Sequence, residues 1–298
     1  MDHIALLRKI SATPCSGESL ARTFGVSRAM VWKGIEALRA EGLQIGASRT
    51  GYILKDARSA FGASTLGWRC GRPVRFMQSC ASTNAVAREL ARQGGQGTLV
   101  VAEHQHAGRG RRGRVWESPA GQNLLFSLVL RPPIPPQLAP RCVLLWAAAM
   151  ADVLDVQLKW PNDLVSSDGQ KVGGILAELE AVGDEVSSVV LGVGINVNQT
   201  TFSKALPLAT SMQALRGAPL DRAALLGELV TAIEATDVSA DLSTWRQRAR
   251  TLGQHVRVGE VTGVASGIRE DGALMVGDVA ILAGDVEMIG YPEPGGTR

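Results

Sequence analysis

Three rhythms of apolar residues follow one another along the chain. Near the N-terminus they recur at helical spacing in short segments, around Ile4 to Ile10, Gly17 to Phe24 and Ser27 to Arg39. Leu20 and Ala21 turn one side of the second segment inward, and Val31, Ile35 and Leu38 recur at i, i+4 and i+7 on the third. Gly25 separates these two segments where a tight turn needs a positive φ, and Ser27 is placed to cap the third. That is helix-turn-helix spacing. Leu43-Gln44-Ile45 and Gly51-Tyr52-Ile53-Leu54 then flank Ala47-Ser48-Arg49-Thr50, a hairpin that reads as a wing.

From about residue 73 to 200 the pattern changes to apolar strands alternating with helices and glycine turns, which marks a domain boundary. The linker falls near Asp56 to Gly71, where Ser59, Gly62, Ser64 and Gly67 dilute the apolar residues. A helical stretch runs from Asp221 to about Arg250. Beyond it, His255 to Val258, Gly272 to Val276 and Val279 to Leu282 read as short strands between Gly and Asp turns, a small β-barrel. The expected division is residues 1–60, 68–250 and 251–298, with the tail Pro292 to Gly296 frayed.

Composition narrows the class. The chain has 298 residues, 45% of them hydrophobic, and a net charge of +3 from 31 basic and 28 acidic side chains. That balance excludes a nucleic-acid coat protein and a membrane-surface binder, so any DNA binding must be local. Cys15, Cys70, Cys80 and Cys142 lack disulfide or zinc spacing and fit a reducing cytoplasm. The N-terminus lacks the order of a secretory signal, and the longest apolar stretch, Val143 to Met150, is far short of the ~20 residues that span a bilayer.

The charge is local indeed. Residues 1–60 carry nine Lys/Arg against five Asp/Glu, a surplus of +4 that exceeds the net charge of the whole chain. The capped third segment presents Arg28, Trp32, Lys33 and Arg39 outward, and the wing adds Arg49, side chains suited to phosphates and base edges in a major groove. Glu36 dissents, and Gly34 interrupts the helix at about 1 kcal/mol relative to Ala. A helical bundle for protein contacts uses the same spacings.

The chemistry-bearing motifs lie in the middle. After the strand Thr98 to Ala102 comes Glu103-His104-Gln105-His106-Ala107-Gly108-Arg109-Gly110-Arg111-Arg112-Gly113-Arg114. Glycines let such a loop wrap a ligand with its N–H groups, and guanidiniums neutralise phosphate oxygens. Alone the string could be a disordered RNA-binding tract. Here Trp116 follows, and the strand Asn123 to Leu130 sets the loop inside a sheet. Further on stand Lys159-Trp160-Pro161-Asn162-Asp163, then Lys171-Val172-Gly173-Gly174-Ile175-Leu176 opening a strand through Glu180. Val189 to Asn198 is a strand whose Gly192 and Gly194 clear one face.

With Ser82-Thr83-Asn84 in front, this ordered set resembles the biotin protein ligases, in the bifunctional form that carries a DNA-binding domain. The resemblance covers nearly the whole chain and implies an α+β protein: an N-terminal winged helix-turn-helix, a central mixed-sheet ligase domain like the class II synthetases, and a C-terminal SH3-like β-barrel. It implies that biotin and ATP, with Mg²⁺ on the polyphosphate, form biotinoyl-5′-adenylate, and that the biotin passes to a lysine of a biotin carboxyl carrier protein. Ser82, Thr83, Asn84 and Gln105 would hold the biotin ring. Gly108, Arg109, Gly110 and Arg111 would close over the valeryl tail and phosphate, with Trp116, Asn162, Gly173, Gly174, Gly192 and Gly194 completing the site and Asn196 near the adenine. Lys159 would stabilise charge on carboxylate and α-phosphate, Lys171 is a second candidate for that role, and Asp163 would accept the proton of the incoming lysine. No residue is assigned as a metal ligand.

The resemblance also implies operator DNA, contacted by Ser27, Arg28, Trp32, Lys33, Arg39 and Arg49, and a homodimer when the adenylate is bound. The segment Gln199 to Thr210 is expected to be mobile without ligand. Two positions depart from the family pattern: Ala81 stands where Asp is usual, and His106 where Gln is frequent. The alternatives are a ligand-responsive repressor without ligase activity and a lipoate ligase on the same fold.

Overall fold

A computed structural model describes residues 1–95, 97–183 and 185–289; the C-terminal tail expected to fray lies outside them. The N-terminal module is built by local capping. α1 (His3–Ala12) starts where the Asp2 carboxylate accepts the N–H groups of Ile4 and Ala5, and α2 (Gly17–Phe24) where Ser16 accepts that of Ser19. Gly25 ends α2 at φ 63°, and the Ser27 hydroxyl caps α3 (Arg28–Ala40) at the Met30 N–H. β1 (Gln44–Ser48) and β2 (Gly51–Asp56) form the antiparallel wing. Leu6, Leu7, Ile10, Leu20, Val31, Ile35 and Leu38 fill the module's core. Gly34 belongs to that core: a Cβ there would stand 1.9 Å from Met1 Cε and 3.1 Å from Leu6 Cδ2. It lets α1 and α3 touch.

The expected linker contains a helix, α4 (Ala63–Arg69). Its cap residue, Gly62, has no side chain to offer, and the Glu41 carboxylate at the end of α3 accepts the Ser64 and Thr65 N–H groups at 3.2 and 3.1 Å instead. Small residues diluted the apolar pattern there because neighbours pack against the helix from two directions. A Cβ on Gly67 would come within 2.4 Å of Ile4 Cδ1 in α1, and one on Gly227 would come within 2.7 Å of the Arg69 carbonyl. α4 thus joins the two parts of the molecule by packing.

The central part comprises β3 (Val74–Met77), α5 (Thr83–Arg92), β4 (Leu99–Ala102), β5 (Leu124–Leu130), α6 (Ala139–Leu154), β6 (Gln157–Lys159), β7 (Asp163–Val165), β8 (Lys171–Val182) and β9 (Glu185–Ile195), followed by α7 (Met212–Arg216), α8 (Arg222–Glu234) and α9 (Ser243–Arg248). The strands form one mixed seven-stranded sheet in the order β3-β4-β5-β9-β8-β7-β6, with β3 and β4 parallel and the other pairs antiparallel. Ala87 and Ala91 of α5 pack against Val100, Val129 and Val190 on one face, and α6 and α8 bury the other. The apolar run near Val143 lies in α6. With its flanks, Pro136–Leu154 reaches 19 residues, but Leu144, Leu145, Trp146, Met150 and Leu154 are buried against the sheet, as a core helix requires.

The helical stretch expected from Asp221 to Arg250 is broken between α8 and α9. Asp237 and Asp241 each accept the N–H two residues ahead, from Ser239 and Ser243, and these turns compete with the helix. β10 (His255–Val258), β11 (Val261–Ile268), β12 (Leu274–Val276), β13 (Val279–Ile281) and β14 (Glu287–Met288) form one antiparallel sheet in the order β13-β12-β11-β10-β14. Among the described residues no pairing joins its edges β13 and β14 into a closed barrel. Its buried Val256, Ala265 and Leu274 are continuous with the central core, and Trp160 donates its indole N–H to the Gly272 carbonyl at 3.1 Å.

Candidate active site

The glycines of β8 and β9 open one face of the sheet into a cavity of about 440 Å³. Gly192 and Gly194 need to be glycine: a Cβ on the first would lie 2.0 Å from Asn84 Oδ1, and on the second 2.6 Å from Trp116 Cε2. Gly174 also lines the cavity, whereas a Cβ on Gly173 would meet the Gly194 carbonyl at 2.8 Å and Leu164 at 3.2 Å. Gly173 is therefore a packing glycine between strands, and Gly108, against the Trp116 carbonyl at 2.8 Å, serves the loop in the same way. Neither is among the residues that line the cavity.

One end of the cavity is a network of neutral polar groups at the start of α5. Gln105 Oε1 accepts the Thr83 N–H at 2.7 Å, and Ser127 Oγ lies 2.7 Å from Thr83 Oγ1 and 2.6 Å from Asn84 Oδ1. Because Asn84 Oδ1 can only accept, the Ser127 proton goes to it, and the one proton of the Thr83 hydroxyl is shared between Ser127 Oγ and Gln105 Oε1, which lies 3.2 Å away. Asn84 Nδ2 in turn donates to the Leu176 carbonyl and Glu178. Ser82 lines the cavity beside them. The turn is anchored without a side chain at position 81: Ala81 accepts the Ala107 N–H through its carbonyl, and Cys80 pairs with the backbone around Gln105.

The other end is cationic. Lys159, Lys171, Arg109, Arg111 and Arg114 line it with Asn162 and Asp163. Lys171 Nζ sits 2.7 Å from Asp163 Oδ1 and 5.7 Å from the centre of the Trp116 ring. Burial pushes the Lys159 ammonium below the usual lysine range, against the pull of Asp163. Arg111 is lowered by the same cause, opposed by Asp285. Its guanidinium reaches Asn162 Oδ1 at 3.3 Å, and Asn162 is held by its own bond to the Ile175 carbonyl. Trp116 lies between the two ends over Gly174 and Gly194, and its buried indole N–H has no acceptor among the described residues.

The Gly/Arg segment is an ordered hairpin-like loop, not a loose tract. Gly110 donates to the Arg114 carbonyl at 2.7 Å, Trp116 to that of Gly108 at 3.0 Å, and Arg112 takes φ 55° at the tip. Asp285, just before β14, binds this loop: Arg111 and Arg112 approach its carboxylate at 3.5 Å and Arg114 more closely still. Nothing in the sequence near Asp285 marks it, because its partners lie over 170 positions away. Ser127 was likewise hidden inside an apolar strand. Asn196 does not point its amide freely at a ligand; it donates to the Thr210 carbonyl at 3.0 Å. The segment expected to be mobile is anchored at its end, where Lys171 pairs with Ala209, and Phe202, Leu206 and Ala209 form a cavity wall.

On the N-terminal module, Arg28, Trp32 and Lys33 are exposed on α3, and Arg49 is exposed on the wing. The Ser27 hydroxyl is committed to the helix cap. Arg39 is not a free DNA ligand: it donates to the Ile45 carbonyl at 2.7 and 3.2 Å and pairs with Glu36 at 2.7 Å. It fastens the wing to α3, a contact invisible to helical periodicity.

Residues 76–196 match the biotin/lipoate A/B protein ligase family, and residues 2–53 match an HTH domain. The chain is 35% identical to the bifunctional ligase/repressor BirA of Bacillus spizizenii, covering 96% of this chain and 98% of that one. It is 33% identical to the bifunctional ligase/repressor BirA of Escherichia coli over 90% of this chain and 89% of that protein. The structure superposes on a biotin protein ligase from Aquifex aeolicus in complex with biotin and ATP with a TM-score of 0.58, at 26% identity, covering 71% of this chain and 96% of that one. With an HTH module in front of a mixed sheet whose cavity has one neutral polar end and one cationic end, the chain belongs to the biotin/lipoate A/B protein ligase family.

Proposed function

We propose that this chain is an ATP-dependent biotin protein ligase that also acts as a biotin-responsive transcriptional repressor. The observation that carries the ligase reading is the polarity of this cavity. The neutral Thr83, Asn84 and Gln105 network suits the ureido ring of biotin, which offers N–H donors and a carbonyl, and the Lys159, Lys171 and Arg111 end suits a carboxylate meeting a phosphate. Trp116 offers a flat indole between them.

In the first step a carboxylate oxygen of biotin attacks the α-phosphorus of ATP and pyrophosphate leaves. Lys159 stabilises the negative charge on those oxygens, Lys171 is the second cation, and Arg111 closes over the phosphate with Arg109 and Gly110. In the second step the amine of a carrier-protein lysine attacks the biotinoyl carbonyl and AMP leaves. Asp163 accepts the lysine proton, and Lys171, 2.7 Å from it, holds its carboxylate in place. Magnesium fits as a polyphosphate-bound ion held mostly by phosphate and water. Among the described residues no group of three or more His, Cys, Asp or Glu stands ready to cage a metal.

The carrier is the biotin carboxyl carrier protein of acetyl-CoA carboxylase, and the work is cytoplasmic, where ATP and operator DNA meet. The adenylate-loaded chain dimerises on DNA, with Arg28, Lys33 and Arg49 on phosphates. The units doing this are residues 1–60, 68–250 and 251–298.

Labelled biotin, ATP and Mg²⁺ incubated with a purified carrier domain give carrier-bound label. No ATP-dependent transfer leaves a repressor without ligase activity. Transfer of lipoate in place of biotin identifies a lipoate ligase. A mobility shift on the promoters of biotin-synthesis genes, with and without biotin and ATP, tests the second half.

A further inference from the structure

The outward face of α3 is not the cationic surface its composition suggests. Val31, Gly34, Ile35 and Leu38 are its buried residues, so the opposite side carries Ala29, Trp32, Lys33 and Glu36. Glu36 is paired with Arg39, and Arg39 is bound to the wing. What remains to meet a partner is Lys33, Arg28 in the first turn, the Met30 side chain, and an indole. Trp32 is 54% exposed, the most exposed of the large apolar side chains in the N-terminal module. A half-exposed indole between two cations, on the helix that follows the turn of an HTH fold, suits a surface that is anionic at its edges and apolar at one point.

A major groove has that character at one base only. Its edges are phosphate, and of the four bases thymine alone projects a methyl group, at C5, into it. We propose that Trp32 is a specificity-determining residue of the DNA-binding module, taking the C5-methyl of a thymine while Arg28 and Lys33 hold the flanking phosphates. This deepens the DNA-binding reading above and rests on it. The phosphate contacts position the helix and Trp32 chooses the base.

The full-length chain, loaded with biotin, ATP and Mg²⁺, is used to recover bound duplexes from a randomised pool by mobility shift. In the recovered site each thymine is replaced singly by deoxyuridine, which removes the methyl and nothing else. At one thymine per half-site the wild-type chain loses about fourfold in affinity, the worth of one buried methyl. Trp32→Ala binds the thymine duplex more weakly and no longer distinguishes it from the deoxyuridine one; Trp32→Phe keeps the distinction. The slope of affinity against salt is the same in all three, because no phosphate contact is lost. Trp32→Ala keeps the far-UV circular dichroism and the urea unfolding midpoint of the wild-type chain, which certifies its fold.

Indifference of the wild-type chain to deoxyuridine at every position overturns the inference and leaves DNA binding intact. So does a Trp32→Ala chain that binds as tightly as wild type or still discriminates. If the loaded wild-type chain enriches no duplex at all, the DNA-binding reading itself falls, and the exposed indole belongs to a protein contact.

Discussion

Glu103 and Arg222 face each other as a two-pronged ion pair, with Nη1 2.8 Å from Oε2 and Nη2 2.9 Å from Oε1, and both side chains nearly excluded from solvent. The pair joins the end of β4 to the start of α8, and Arg222 also lies 3.9 Å over the Phe61 ring just before α4. Its neighbour Asp221 caps α8 and binds Arg69 of α4 at 2.9 Å. The strand end that carries Gln105 is therefore tied to the helix that carries the N-terminal module.

Removing one partner leaves the other charge almost buried and without its counter-charge. Arg222→Ala is expected to lower unfolding stability by about 3 kcal/mol in a urea titration. Replacing both partners by methionine recovers most of that, since no charge is then stranded. Because Glu103 lies two residues before Gln105, the single variant also raises KM for biotin more than it lowers kcat.

Gly192→Ala tests the polar end of the cavity. The new methyl would stand 2.0 Å from Asn84 Oδ1, which Ser127 holds in place, so the amide must move. KM for biotin is expected to rise at least about tenfold, equivalent to ~1.4 kcal/mol. In an Asn84→Gly background the same substitution adds little, and a double-mutant cycle of biotin affinities measures that coupling.

The carboxylate of Asp285 is shared by three guanidiniums of the Gly/Arg loop. Asp285→Asn removes the charge that bridges Arg111, Arg112 and Arg114 and offsets their mutual repulsion. The adenylate is then expected to leave several times faster, read by stopped-flow dissociation, while affinity for biotin alone changes little; Asp285→Glu restores most of the retention.

Lys159 carries a pH prediction. Burial lowers its proton affinity below the usual 10.5 of lysine, so the ligand-free fold bears a charge penalty wherever the group is charged in both folded and unfolded chains. That penalty fades as pH rises through the lowered folded value, and the site's contribution to stability improves there. Adenylation runs the other way: kcat/KM falls on that alkaline limb as Lys159 loses its charge. Lys159→Arg, which stays charged, is expected to be slower at neutral pH but to lose the limb. A pH–rate profile of both proteins reads it.

Much of the site was legible early because a bound small anion recruits chemistry from contiguous loops. Lys159 and Asp163, Arg109 and Arg111, and Thr83 and Asn84 sit within a few residues of one another, and the structure brings all of them to one cavity. The alternating Gly192 and Gly194 announced a cleared strand face, though periodicity could not say that Gly173 faces a neighbouring strand instead. Helix starts at Asp2, Ser16 and Ser27 obey local capping, and Ser27 was recognised from the sequence.

By itself, then, the sequence determined the order of modules, the helix-turn-helix spacing and the motifs that meet in the cavity. These depend on neighbours within one turn or one strand, where φ/ψ preference, capping and periodicity act. Only the tertiary structure decided that the supposed linker contains a helix capped by Glu41, that Arg39 serves the wing, and that Asp285 and the Glu103–Arg222 pair brace the site. Each of those joins groups from different elements, some of them distant in the chain. A charge finds such a partner through the fold's geometry, which local patterning does not encode.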